Sequence, residues 1–150
     1  MITVVDVETT FVKDKTGKLD PAPFQKDNQL VSVGINNEYY CMYHKTHTDF
    51  YLAKNYKAIQ EILDKTTLLI GHNLKFDLAW LYECGFKYEG RVYDTMITEY
   101  VLLRGVKKRV SLKESCNRRK IQQKSDIQNT FFRTMLELWC RSTRQRMPDF

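Results

Sequence analysis

Asp6-Val7-Glu8-Thr9-Thr10 sets two carboxylates two residues apart, directly after a short apolar run, Ile2-Thr3-Val4-Val5. The run reads as a buried strand, and side chains two apart on a strand leave it on the same face. Asp6 and Glu8 are then neighbours that repel one another unless a cation sits between them, and the usual occupant is a divalent metal held by hard oxygen ligands. An acidic strand end in solvent, with Thr9 and Thr10 opening a turn, has the same pattern, so the pentapeptide leaves both readings open. A third carboxylate, Asp77, falls in the first turns of a later helix, near its positive end, where an acid is favourable whatever its role.

The elements that must position these side chains follow from periodicity. From Phe11 to Asn28 the chain holds Thr16-Gly17-Lys18 and Pro21-Ala22-Pro23, a composition that predicts a surface loop which connects without packing. Gln29–Ile35, the turn Asn36-Asn37 and the Tyr-rich Glu38–His44 predict a β-hairpin. Tyr56, Ile59, Ile62 and Leu63 recur at helical spacing, which predicts an amphipathic helix from about Ala53 to Asp64. Thr66–Ile70 is a fourth strand. It leads into the turn Gly71-His72-Asn73, with Asn73 as a capping residue and Phe76, Trp80 and Leu81 on one face of the helix that follows. Gly90–Tyr93 is a short strand ending in Asp94, and Thr95–Leu103 is a helix with Met96, Ile97, Tyr100 and Val101 inward. Ser111 and Glu114 match a capping box, so a further helix begins at Leu112. His44-x-x-His47 has metal-ligand spacing but no Cys, His or acidic partner at a zinc-like separation.

With 150 residues, 43% of them hydrophobic, the chain suits one globular domain with a sizeable core. No apolar run reaches the roughly 18 residues of a membrane span and no basic-then-apolar leader opens the chain, so a cytoplasmic location and no membrane partner are expected. Cys41, Cys84, Cys116 and Cys140 include no Cys-x-x-Cys pair, which argues against a zinc ribbon or a disulfide framework and predicts reduced, mostly buried thiols. The net charge of +6 is uneven: residues 104–150 carry 13 Lys/Arg against 4 Asp/Glu, a balance of +9, which leaves −3 for residues 1–103. A basic C-terminal third behind an acidic body suits phosphate-backbone binding beside a carboxylate centre, although a solvated basic tail carries the same charge.

The order strand, hairpin, helix, strand, helix, strand is that of the ribonuclease H-like fold. Asp6-Val7-Glu8-Thr9-Thr10 resembles the first motif of the DEDD 3′–5′ exonucleases, named for four metal-binding carboxylates, and Asn73-Leu74-Lys75-Phe76-Asp77 resembles the second. Asp94-Thr95-Met96 before an apolar helix resembles the segment that follows in the proofreading domain of family A DNA polymerases. A first motif so near Met1 is most similar to the N-terminal exonuclease region of bacteriophage family A polymerases, and the resemblance covers about residues 1–128.

What the resemblance implies is an α/β domain with a mixed sheet, three antiparallel strands and then parallel ones, flanked by helices. Its implied activity is hydrolysis of terminal phosphodiesters of DNA by two-metal-ion catalysis with Mg²⁺ or Mn²⁺. The implied partners are the 3′ end of single-stranded DNA and a polymerase domain on the same chain, in the host cytoplasm if the source is a phage. Carried over by position, Asp6 bridges the two metals, Glu8 binds the metal that activates water and orients that water, and Asp77 supports the other metal. Thr9, Phe11 and Asn73 line the terminal-nucleotide site, with His72 nearby as an ordinary core residue, while Lys107, Lys108, Arg109, Arg118 and Arg119 hold the strand by phosphate contacts. Two alternatives stay open: a catalytically silent module that binds single-stranded nucleic acid, and an RNA-processing exonuclease of the same superfamily, since no residue visibly tests for a 2′-hydroxyl.

The chain departs from the family at its end. The third motif, a Tyr or His followed four residues later by the fourth carboxylate, is absent after the Ser111 region: of the late aspartates Asp126 and Asp149, neither has Tyr or His four positions before it. The domain is therefore read as residues 1–132, truncated, with 133–150 as a tail outside the family pattern. Permitted codons for the segment from Phe132, read one base earlier, yield Gln-Asp-Asn-Val-Gly-Ala-Met-Val-Pro-Gln-Tyr-Ala-Thr-Glu-Asp-Ala-Arg-Leu, which contains the missing Tyr-x-x-x-Asp. Phe131-Phe132 implies a run of T in which one base is easily lost, so the hypothesis is a frameshift; a natural variant with its own tail is the rival. Sequencing the DNA across the Phe131–Arg133 codons is expected to reveal an alternative frame encoding Tyr-x-x-x-Asp, and its absence beside an intact T-run would sink the idea.

Overall fold

The computed structural model describes residues 1–13, 16–25, 28–42 and 49–121, without the side chains of 49–53. The chain divides into two compact units, Met1–Val110 and Ser111–Phe150. In chain order the elements are β1 (Ile2–Thr9), β2 (Val12–Lys13), β3 (Leu19–Asp20), β4 (Leu30–Ile35), β5 (Glu38–Cys41), α1 (Asp49–Lys65), β6 (Leu68–Gly71), α2 (Leu74–Glu83), β7 (Arg91–Asp94), α3 (Thr95–Leu102) and α4 (Leu112–Arg119). The last belongs to the second unit, where the Ser111 hydroxyl accepts the Glu114 N–H at 3.5 Å, as half of the expected capping box.

Five strands form one sheet in the order β5-β4-β1-β6-β7. β5, β4 and β1 pair antiparallel, and β1, β6 and β7 pair parallel, as the motif order implied. Antiparallel neighbours need only the tight Asn36-Asn37 turn, whereas parallel neighbours need a crossover, supplied by α1 before β6 and by α2 before β7. β1 alternates by residue: Thr3, Val5 and Val7 are buried, while Ile2, Val4, Asp6 and Glu8 face outward. On the inner face Val5, Val7, Val33, Ile35 and Leu69 meet Ile59 and Leu63 of α1 and Leu74, Trp80 and Leu81 of α2. Burying each such side chain stabilises the fold by about 1.5–3 kcal/mol, which is what holds the polar face of β1 in place. Buried Thr3 is satisfied by the Thr66 hydroxyl at 2.7 Å.

Three expectations need correction. The stretch after β1 does pack: β2 pairs with β3, the buried Asn28 amide donates to Asp20 O and Ala22 O, and the Trp80 indole donates to Pro21 O at 3.2 Å. A composition rich in Pro and Gly marks the loss of periodicity, and side-chain amides hold such a segment as well as a ladder would. In α3, Ile97, Tyr100 and Val101 are exposed and Glu99 is the buried residue. Helical spacing identifies an apolar stripe but not whether another element covers it. Among the described cysteines Cys84 is exposed and Cys41 and Cys116 are half-buried, because each falls at the end of an element or on its outer side rather than on a core face. His44 and His47, Asp126, and the boundary drawn at 132/133 lie outside the described residues.

Gly71 ends β6 where the chain doubles back. A Cβ there would stand 2.6 Å from Leu74 Cδ1 and 3.4 Å from Val5 O, and Leu74 is only 1% exposed, so it has little room to yield. Gly71→Ala is expected to lower unfolding stability by about 1–3 kcal/mol, the usual cost of overpacking a core, measured by urea denaturation. An unchanged midpoint would mean that Leu74 moves aside.

Candidate active site

Parallel pairing of β1 with β6 runs through Val4 and Ile70 and goes no further. Past that point β6 turns away into α2, and the Val7 N–H on this edge of β1 lies beyond the ladder. A buried N–H without an acceptor is costly. The Asp77 carboxylate takes it: Oδ1 accepts the Val7 N–H at 2.9 Å. Asp77 lies in the first turn of α2 and is 4% exposed. The residues on either side of Val7 are Asp6 and Glu8, both on the open face, with Gly34 and Ser32 as their small cross-strand partners on β4. A bulge between Glu8 and Thr9 re-aims the strand as it leaves the carboxylates.

The turn that delivers Asp77 is held from the next strand. Asn73 occupies the N-cap position of α2 in the left-handed conformation, φ 63°, and its side chain makes no cap bond, contrary to the capping role its type suggests. A capping side chain acts from an extended N-cap backbone, which Asn73 does not have. Asp94 substitutes for it: Oδ1 accepts the Asn73 N–H at 3.0 Å and Oδ2 the Leu74 N–H at 2.9 Å. The same Oδ1 accepts Met96 N–H at 2.8 Å, so Asp94 also caps its own helix, α3. The Thr95 hydroxyl donates to Gly71 O at 3.0 Å and lies 2.9 Å from His72 Nδ1. Asp followed by a helical run is a readable cap for α3, but its second role across the sheet has no signal in the sequence.

The other expected binding residues differ in their surroundings. Thr9 Oγ1 and His72 Nε2 are buried atoms with no hydrogen-bond partner among the described residues, and Phe11 is 55% exposed. Lys107, Lys108 and Arg109 are exposed in the first unit after the left-handed Arg104 and Gly105, while Arg118 and Arg119 lie in the last turn of α4 in the second unit. Arg118 Nη2 donates to Ser115 Oγ at 3.2 Å.

Burial pushes the Asp77 carboxyl up to about 7; the charges of Asp6 and Asp94 act in the same direction, and the Val7 N–H, which favours the ionised form, opposes them. Asp6 and Asp77 are thus electrostatically coupled across the corner between β1 and α2. Among the described residues no three His, Cys, Asp or Glu side chains form a group that could hold a metal ion. Asp77 is drawn inward to the Val7 N–H while Asp6 and Glu8 point outward. The coupled pair presents hard carboxylate oxygens, the donor type a Mg²⁺- or Mn²⁺-like ion takes, but short in number.

The raised proton affinity has a sign. From about pH 4, where the unfolded carboxyl ionises, to about 7, the folded chain retains a proton that the unfolded chain has lost, so stability falls as pH rises through that window and levels off above it. Thermal melts in chelator from pH 4 to 8 are expected to show this decline in the wild type and its loss in Asp77→Asn, which keeps an acceptor for Val7 N–H without the charge. Parallel profiles for the two proteins would contradict the assignment.

Comparison with known proteins agrees with this architecture. The family model described as 3′–5′ exonuclease matches residues 6–138, most of the chain. DNA polymerase I of Aquifex aeolicus (strain VF5) is 31% identical over 74 residues, which is 49% of this chain and only 12% of that polymerase. No described helix is long and apolar enough to cross a membrane. The mixed five-stranded sheet, the carboxylates at the corner of β1 and α2, and a match over most of its length together establish that the chain belongs to the 3′–5′ exonuclease family.

Proposed function

We propose that this chain is a proofreading-type exonuclease domain that hydrolyses the terminal phosphodiester at the 3′ end of single-stranded DNA, in association with a polymerase domain. The observation that carries the reading is the Asp6–Asp77 pair, in which a carboxyl tied to β1 is held towards its neutral form by burial and by a neighbouring carboxylate. A bound divalent cation would reverse that bias. Asp6, Glu8 and Asp77 are the residues that would hold Mg²⁺ or Mn²⁺, with Asp77 offering Oδ2 because Oδ1 is engaged by Val7 N–H. When bound, such ions supply Lewis-acid stabilisation of the attacking and departing oxygens in an in-line displacement.

The chain's own groups do the rest. Glu8 accepts a hydrogen bond from the attacking water and so orients it. Lys107, Lys108 and Arg109, with Arg118 and Arg119, neutralise backbone phosphates without reading sequence. Thr9, Phe11 and Asn73 contact the terminal nucleotide, and Asn73 has a side chain not spent on its own helix. Without a Tyr-x-x-x-Asp third motif the water lacks a second positioning group, and losses of general-base assistance run to about 10²–10⁴-fold, so turnover is slow. A second reading is favoured by the lack of a three-ligand group among the described residues: a module that binds single-stranded nucleic acid and performs no chemistry.

A 3′-labelled oligonucleotide assay with Mn²⁺ or Mg²⁺ separates the two. The exonuclease reading expects slow, EDTA-sensitive release of nucleotides, at least about 10²-fold below an intact family member and abolished in Asp6→Ala. Binding with no release supports the silent module, and release that survives Asp6→Ala rules out the proposed site. Parallel DNA and RNA substrates determine which sugar is accepted.

A further inference from the structure

We infer that Asp94 and Thr95 are positioning residues of the nuclease site: together they clamp the turn Gly71–Leu74 and so fix where α2 presents Asp77 to β1. The inference rests on the reading above that Asp77 serves the site. Each residue of the turn receives one bond from this pair. Thr95 Oγ1 donates to Gly71 O and contacts His72 Nδ1, and the Asp94 carboxylate accepts the N–H groups of Asn73 and Leu74. The clamp is needed because Asn73 is left-handed, a conformation unfavourable for an L-residue with a side chain, and cannot cap its own helix. It is rigid because Asp94 is anchored at both ends: it stands opposite Gly71 in the parallel β6–β7 register, and it is fastened to α3 through Met96 N–H.

The consequence reaches Asp77 by a short path. Asp77 lies three residues beyond Leu74 on the first turn of α2, and the bond from Val7 N–H anchors its carboxylate to the sheet. A helix that starts half a residue out of phase would rotate that carboxylate away from Asp6. Groups of this kind, which touch neither substrate nor metal but orient a ligand, change metal affinity or activity by about 10–100-fold when removed.

The test uses Asp94→Ala, Asp94→Asn and Thr95→Val in the full chain, with two independent readouts. Amide hydrogen exchange is expected to rise at Asn73, Leu74, the first turn of α2 and Val7, whose N–H depends on Asp77, in Asp94→Ala while Val33 and Ile35 in the sheet keep their protection. The Mn²⁺ concentration for half-saturation, followed by calorimetry and by nuclease rate, is expected to rise about 10–100-fold, with Asp94→Asn intermediate because it keeps one acceptor oxygen. Thr95→Val, which retains both caps, keeps the fold testable if Asp94→Ala does not fold; it is expected to loosen Gly71 and His72 and to raise Mn²⁺ half-saturation by less. Unchanged exchange in the turn would overturn the clamp. Faster exchange with an unaltered Mn²⁺ requirement would reduce Asp94 to a structural cap and overturn the positioning role. A wild-type chain with no metal-dependent release would count against the nuclease reading alone, since exchange and Mn²⁺ calorimetry still decide the clamp.

Discussion

The hydrogen bond from Val7 N–H to Asp77 joins the strand that carries the first two carboxylates to the helix that carries the third. It exists because β6 parts from β1 after Ile70, leaving a backbone donor that must be satisfied inside the fold. A water molecule or a neutral side chain could have met that need. A carboxylate meets it at the cost of burying a group that prefers water when charged, and the protein accommodates this by raising the proton affinity of Asp77 to about 7. The corner is therefore stable as a neutral carboxyl and electrostatically tense as an anion, with Asp6 adding to the tension.

The geometry around that bond is over-determined. Gly71 permits the close approach of α2 to β1, Leu74 fills the space beneath it, and Asp94 and Thr95 secure the turn from the neighbouring strand. Such redundancy is expected where a carboxylate must be presented within a fraction of an ångström, because a helix end left to itself frays through its unsatisfied N–H groups. The two faces of the sheet divide the work. The inner face, from Val5 and Val7 to Trp80, is apolar and close-packed; the outer face carries the exposed Asp6 and Glu8 beside Gly34 and Ser32, with the Tyr39 ring lying against Gly34.

Where expectation and structure diverged, the cause was the same in each case. The Phe11–Asn28 stretch has no periodicity, yet it is pinned by Asn28 amide bonds to its own Asp20 and Ala22 carbonyls and by the Trp80 indole, a partner remote in sequence. The stripe of Ile97, Tyr100 and Val101 has the right periodicity, yet it stays exposed because periodicity does not supply a partner. Asn73 is the right residue type for a cap in the wrong backbone conformation, and the cap comes from a residue twenty-one positions later.

Much of the protein was decided by local pattern. Alternation in Ile2–Thr9 places Asp6 and Glu8 on one face, Asn36-Asn37 closes a hairpin, and the helical spacing of Ile59, Ile62 and Leu63 specifies α1, because strand and helix periods act over a few neighbouring residues. The two carboxylate motifs were legible for the same reason, and their order along the chain was enough to indicate a family. Only the tertiary structure decided that Asp77 bonds Val7, that Asp6 and Asp94 both raise its proton affinity, and that Asp94 caps two helices at once. Those are contacts between residues seventy or twenty positions apart, and they arise from where the parallel ladder of β1 and β6 stops, a property of the folded sheet that no short stretch of sequence contains.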